Sequence, residues 1–134
     1  MKVFIDSNIP MYVAGTAHPN RDPARRFLGR VRSGAIEGCT STEVLQEILY
    51  RYSAIGRRDL GADVYDLFVQ LCPVVFDVTL ADTDGARDLL LDYPTLSARD
   101  CVHAAVMRNH QVEVIATFDA GFDRIEGVRR AELD

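Results

Sequence analysis

Lys2-Val3-Phe4-Ile5-Asp6-Ser7-Asn8 reads as a short apolar strand that runs into an acid and then into a helix start. An unbroken Val-Phe-Ile run suits a strand buried on both faces, as in a parallel sheet. Asn8, with Pro10 just inside the next turn, marks the helix start, because proline's missing N–H costs nothing in a first turn. Working outward, Asp22-Pro23 opens a helix with Ala24, Phe27, Leu28 and Val31 at helical spacing, and Ser33-Gly34 ends it. Residues 35–39 read as a short strand. Thr40 opens a helix through Val44, Leu45, Ile48, Leu49 and Tyr52 that breaks near Gly56, and a further helix covers 59–71. Residues 73–78 are predicted as a strand and 79–91 as a helix, broken at Tyr93-Pro94. A helix over 96–109, a strand over 112–118 and a short terminal strand around Val128 complete the series. The order β-α-α-β-α-α-β-α-α-β predicts an α/β protein with a parallel sheet covered by helices on both faces.

The chain has 134 residues, 48% hydrophobic and 26% charged, which predicts one soluble globular domain over 1–134. No apolar stretch approaches the roughly 20 residues that a membrane helix needs, and an acid at position 6 stands where a signal peptide would have its apolar core. The expected location is the cytoplasm. Cys39, Cys72 and Cys101 are odd in number and set among apolar neighbours, as reduced structural thiols would be, with no Cys-x-x-Cys zinc pattern. The net charge of −5 argues against a nucleic-acid partner until four site acids are set aside, which leaves −1. Fourteen arginines stand beside the single Lys2, and arginine's planar fork suits phosphate; the plainer reading is a solvated surface.

Four acids, Asp6, Glu43, Asp100 and Asp119, each sit where a strand-like run ends or a helix begins. In a parallel sheet those points converge on one edge, pooling carboxylates from distant segments in a crevice. Glu43 and Asp100 have a structural alternative, since Thr40-x-x-Glu43 and Ser97-x-x-Asp100 both match a capping box. Glu47 is a rival to Glu43, one turn further on. Asp6 has no capping duty, because Ser7 and Asn8 can cap without it. Asp119 and Asp123 compete for the fourth place, and Asp119 is nearer the strand end. His103 shares a helix face with Asp100 and is read as a packed or supporting histidine, because an oxygen-rich cluster selects magnesium or manganese. Such clustered charges repel by several kcal/mol at intermediate dielectric, on the order of 4 kcal/mol per close pair, and a divalent cation relieves the cost. A bound cation that activates water and neutralises charge on phosphate is a recipe for phosphodiester hydrolysis.

Val-Phe-Ile-Asp6-Ser7-Asn8, Thr-Glu43-Val-Leu-Gln-Glu-Ile, Ala-Arg-Asp100-Cys-Val-His-Ala-Ala and Ile-Ala-Thr117-Phe-Asp119-Ala-Gly-Phe-Asp123, in that order, resemble the PIN-domain family and within it the VapC-type ribonuclease toxins of toxin–antitoxin pairs. The resemblance implies a three-layer α/β/α sandwich with about five parallel strands and a Mg²⁺- or Mn²⁺-dependent endoribonuclease acting on RNA. It implies an acidic quartet of Asp6, Glu43, Asp100 and Asp119 as metal ligands and catalytic residues, with Ser7, Thr117 and Asp123 in support. It also implies a homodimer inhibited by a cognate antitoxin. Excess apolar residues between Val44 and Leu71, including Tyr50, Tyr52, Ile55, Tyr65 and Phe68, are expected to form the partner groove.

Two rivals remain open on the residues alone. A phosphatase or phosphoacceptor domain also places an aspartate after its first strands. It is disfavoured because Asn8 replaces the paired acid and no lysine exists beyond Lys2. A non-catalytic metal- or RNA-binding scaffold of the same fold is the other.

Overall fold

The computed structural model describes residues 2–134. The strands are β1 (Lys2–Ile5), β2 (Glu37–Ser41), β3 (Val74–Phe76), β4 (Val114–Ala116) and β5 (Arg129–Arg130). The helices are α1 (Asn8–Ala14), α2 (Arg21–Arg32), α3 (Thr42–Ala54), α4 (Arg58–Leu71), α5 (Leu80–Asp92) and α6 (Ala98–Asn109), with a 3₁₀ turn at Ala120–Arg124. All strand pairings are parallel, in the order β3-β2-β1-β4-β5. The result is the expected α/β/α sandwich with five strands. β1 is central, and Val3, Phe4 and Ile5 are fully buried, as the unbroken apolar run predicts.

After β1 the chain moves to β2 and β3 on one side, and it later returns to place β4 on the other side of β1. The carboxyl ends of β1 and β4 therefore bound the crevice where the winding reverses, the usual ligand position in open parallel sheets. Register makes this concrete. Ile5 lies beside Ala116, and the Asp6 N–H donates to the Ala116 carbonyl at 3.0 Å, so Asp6 and Thr117 emerge together.

Two local expectations are corrected. Thr40 does not open α3; it is a fully buried residue of β2 whose hydroxyl donates to the Ile5 carbonyl at 3.0 Å. Ser41 caps α3 instead, accepting from the Val44 N–H at 3.4 Å. Two of the residues expected in the partner groove, Tyr52 and Phe68, are buried in the core, whereas Tyr50 and Ile55 are exposed. Gly61 explains part of this: a Cβ there would lie 2.8 Å from Tyr52 Cβ, so glycine lets α4 press against α3 and cover Tyr52. No helix among the described residues is long and apolar enough to cross a membrane.

Candidate metal centre

Asp6 is the fixed point of the site. Its Oδ1 accepts the Ser7 N–H at 2.8 Å and its Oδ2 accepts the Thr117 hydroxyl at 2.8 Å, so the carboxylate is oriented from both sides. Thr117 in turn accepts from Asn8 Nδ2 and from the Asp119 N–H, each at 3.0 Å, which ties the loop after β4 to the start of α1. Burial raises the Asp6 pKa from its ordinary value; His103, Thr117 and Ser7 only partly offset this, while Glu47 adds to it.

α3 supplies Glu47 and α6 supplies His103. Both are buried, with His103 Nε2 at 3.5 Å from Glu47 Oε1 and 3.7 Å from Asp6 Oδ1. Burial opposes charge on His103, but Glu47, Asp6 and Asp100 outweigh it and raise its pKa. Glu47 Oε2 meets Arg99 Nε at 3.0 Å and, more loosely, Arg51 at 3.7 Å. Burial pushes the Glu47 carboxyl up, yet His103, Arg99 and Ser7 hold it below the ordinary value.

Asp100 sits half-buried in the first turn of α6, where Ser97 caps the helix by accepting its N–H at 3.1 Å. Asp82 completes a reciprocal capping box with Thr79 on α5, whereas Ser97 and Asp100 show only the first half of one. Burial raises the Asp100 pKa to about 6, with the carboxylates of Asp119 and Asp6 adding to the rise. Asp119 is exposed and folds its Oδ1 onto the Gly121 N–H at 2.8 Å. Asp123 is exposed and accepts two bonds from Arg130 at 2.8 and 2.9 Å.

The structure thus brings Asp6 and Asp119 each into electrostatic reach of Asp100, with Ser7 and Thr117 supporting Asp6. Among the described residues, the group of potential ligands lying within 4.8 Å of one another is Asp6, Glu47 and His103; Asp100, Asp119 and Glu43 lie outside it, and of these Asp100 and Asp119 are coupled to the site electrostatically. The signal for Glu47 was present in the sequence: it falls three residues after Val44 and just before Ile48, inside the apolar stripe of α3, where an acid without a partner is out of place. Cysteine chemistry is not offered here, since burial pushes the thiols of Cys39 and Cys72 up to about 12.

A hard divalent cation fits these residues. Glu47 Oε1 is buried without a hydrogen-bond partner, Asp100 is strained by like charge, and the donors are mostly carboxylate oxygens. Comparison with known proteins agrees with this architecture. A family model described as PIN domain matches residues 3–128. The Mycobacterium tuberculosis ribonuclease VapC13 is 43% identical over 128 residues, covering 96% of this chain and 98% of the relative. Two solved structures share the fold: VapBC2 from Rickettsia felis bound to a promoter DNA fragment (TM-score 0.78, 18% identity, all of both chains) and Mycobacterium tuberculosis VapC20, a sarcin–ricin loop cleaving toxin (TM-score 0.76, 20% identity, 95% of this chain and 98% of that one). The chain belongs to the PIN-domain family, among its VapC-type ribonucleases.

Proposed function

We propose that the chain is a metal-dependent endoribonuclease, the toxin of a toxin–antitoxin pair, working in the cytoplasm as one nuclease domain over 1–134. The observation that carries this reading is the convergence of Asp6, Asp100, Asp119 and Glu47 on the switch point of the sheet. Asp6, Asp100 and Asp119 would hold Mg²⁺ or Mn²⁺, and Glu47 takes the place first assigned to Glu43. When bound, such a cation supplies a water of lowered pKa and positive charge against the phosphate. The chain's own residues do the rest. Ser7 and Thr117 fix the Asp6 carboxylate, Arg99 and His103 keep Glu47 ionised in its buried position, and the exposed Asp119 leaves the mouth open to a polynucleotide. Asp123, paired to Arg130, supports the wall of the site and not the cation.

Two partner surfaces belong to the same reading. An apolar recess of about 310 Å³ between α1, α2 and α4, walled by Pro10, Val13, Leu28, Leu67 and Leu71, suits an apolar segment of the cognate antitoxin. Several solved structures that share the fold are toxin–antitoxin complexes. For a homodimer, α5 offers Leu80 and Leu91, 77% and 69% exposed and three turns apart on one face. The nuclease reading is tested by incubating antitoxin-free protein with total cellular RNA, wild type against Asp100→Asn, with Mn²⁺ and with EDTA. Discrete fragments that need both the cation and Asp100 are expected; fragments that persist in EDTA or in Asp100→Asn overturn it.

A further inference from the structure

Beside the acidic cluster lies a recess of about 260 Å³ walled by Ser7, Asn8, Met11, Tyr12 and Arg51. We propose that it seats one nucleobase of the RNA, next to the phosphate presented to the acids, and so contributes to the choice of cleavage sequence. The inference rests on the nuclease reading for its role and on the recess itself for its chemistry.

Position comes first. Ser7 and Asn8 follow Asp6 directly, Asn8 Nδ2 donates to the Thr117 hydroxyl that holds Asp6, and Arg51 stands 3.7 Å from Glu47 Oε2. A group in the recess is therefore one or two side chains from the acids. Size agrees: small-molecule sites generally run from roughly 300 to 1,000 Å³, and this recess, below that range, matches a single planar ring system.

Its walls carry the three elements used to recognise an unstacked base. Tyr12 is partly exposed, and its ring is held in place by a T-shaped contact with Phe118 at 5.3 Å and 82° and a tilted one with His18 at 4.7 Å, so an aromatic ring of fixed orientation lines the recess. Met11 adds a polarisable apolar wall. Asn8 spends one N–H on Thr117 and one lone pair on the Phe118 N–H at 3.4 Å, which leaves it a donor and an acceptor for a base edge. The Arg51 side chain is half exposed, and its contact with Glu47 is too long to use its fork of donors.

The test uses the 134-residue protein without metal. Amide chemical shifts are followed while 5′-AMP, GMP, CMP or UMP is added, with inorganic phosphate and ribose 5-phosphate as base-free probes. At least one mononucleotide is expected to shift the amides of residues 7–12 and 51 saturably where the base-free probes do not. Tyr12→Leu, which keeps the apolar packing but removes the flat face, and Arg51→Gln on the exposed side of α3, should each weaken that binding about fivefold or more, the lower end of base–aromatic stacking. In RNA cleavage, Tyr12→Leu should redistribute the cut positions. The proposal is overturned if the base-free probes give the same shifts, if neither variant weakens binding, or if cut positions are those of the wild type. Base-dependent shifts in a protein that cuts no RNA would sink the nuclease reading while upholding the recess. Unchanged cut positions in an active nuclease would do the reverse.

Discussion

At neutral pH an ionised Asp100 lies partly desolvated and faces the carboxylates of Asp119 and Asp6, and its pKa rises to about 6 for these reasons. Folding must hold these like charges together, so removing one charge relieves the metal-free fold. Asp100→Asn is therefore expected to raise the melting temperature in EDTA by a few degrees, on the order of 1 kcal/mol, and to lose the further rise that Mn²⁺ gives the wild type. Thermal melts of both proteins with EDTA and with Mn²⁺ check this; a lower metal-free melting temperature would point to a helix-cap role. The residue scale also shows what the sequence left ambiguous. The place of Asp6 after β1 was readable because it follows an unbroken apolar run, and the place of Asp119 because it follows the last such run. Glu43 and Glu47 were not separable by motif, since which of them enters the cleft depends on the rotational phase of α3. Ser41 and not Thr40 is the cap, and a shift of one residue turns a helix face by about 100°.

Among the elements, α5 and α6 pack as a pair held at one end by Asp82. Its carboxylate is buried and accepts from the Thr79 N–H at 2.9 Å, the Thr79 hydroxyl at 3.1 Å and Asn109 Nδ2 at 2.7 Å. Burial alone would raise the pKa, but the bonds from Thr79 and Asn109 outweigh it and leave the group below its ordinary value. A depressed folded pKa means stability that is present above the unfolded value near 3.9 and lost as pH falls through the folded value. Asp82→Asn should thus cost about 1–3 kcal/mol at pH 7, a deficit that narrows below about pH 4. Urea unfolding of both proteins from pH 7 down to pH 2.5 measures it, and a deficit independent of pH would contradict the assignment. The helices were legible from their apolar spacing, and Ser97 caps α6 as its sequence suggests. β1 has the bounds its apolar run suggested, β2 lies two residues later than expected, and β3 and β4 are shorter: β4 is Val114–Ala116, the residues that pair with β1 before the chain turns into the site.

For the whole molecule, the alternating order of elements made the parallel sheet legible, and the family resemblance supplied its size. Which apolar residues were surplus was not legible, because burial depends on packing between helices distant in sequence. Tyr52 looks like a partner contact on a helical projection, but Gly61 lets α4 close over it, and Phe68 is buried in the core from α4 itself. The recess between α1, α2 and α4 is built instead from residues as far apart as Pro10 and Leu71. Leu67 borders it with 67% of its surface exposed, so a charge there disturbs little of the fold. Leu67→Glu is expected to weaken binding of the cognate antitoxin about tenfold or more, as an unpaired charge at an apolar contact should, while RNA cleavage by the antitoxin-free protein stays unchanged. Titration calorimetry beside a cleavage assay reads both effects, and undiminished antitoxin binding would move the surface elsewhere.

The central claim is that a divalent cation is held where β1, α3, α6 and the loop after β4 converge, with Glu47 as the acid from α3. Calorimetric titration of Mn²⁺ into the wild type, Glu47→Gln and Glu43→Gln tests it most directly. The account predicts that Glu43→Gln binds as the wild type does and that Glu47→Gln binds about tenfold or more weakly, the scale on which losing an orienting carboxylate acts. Weakened binding in Glu43→Gln with Glu47→Gln unaffected would contradict it.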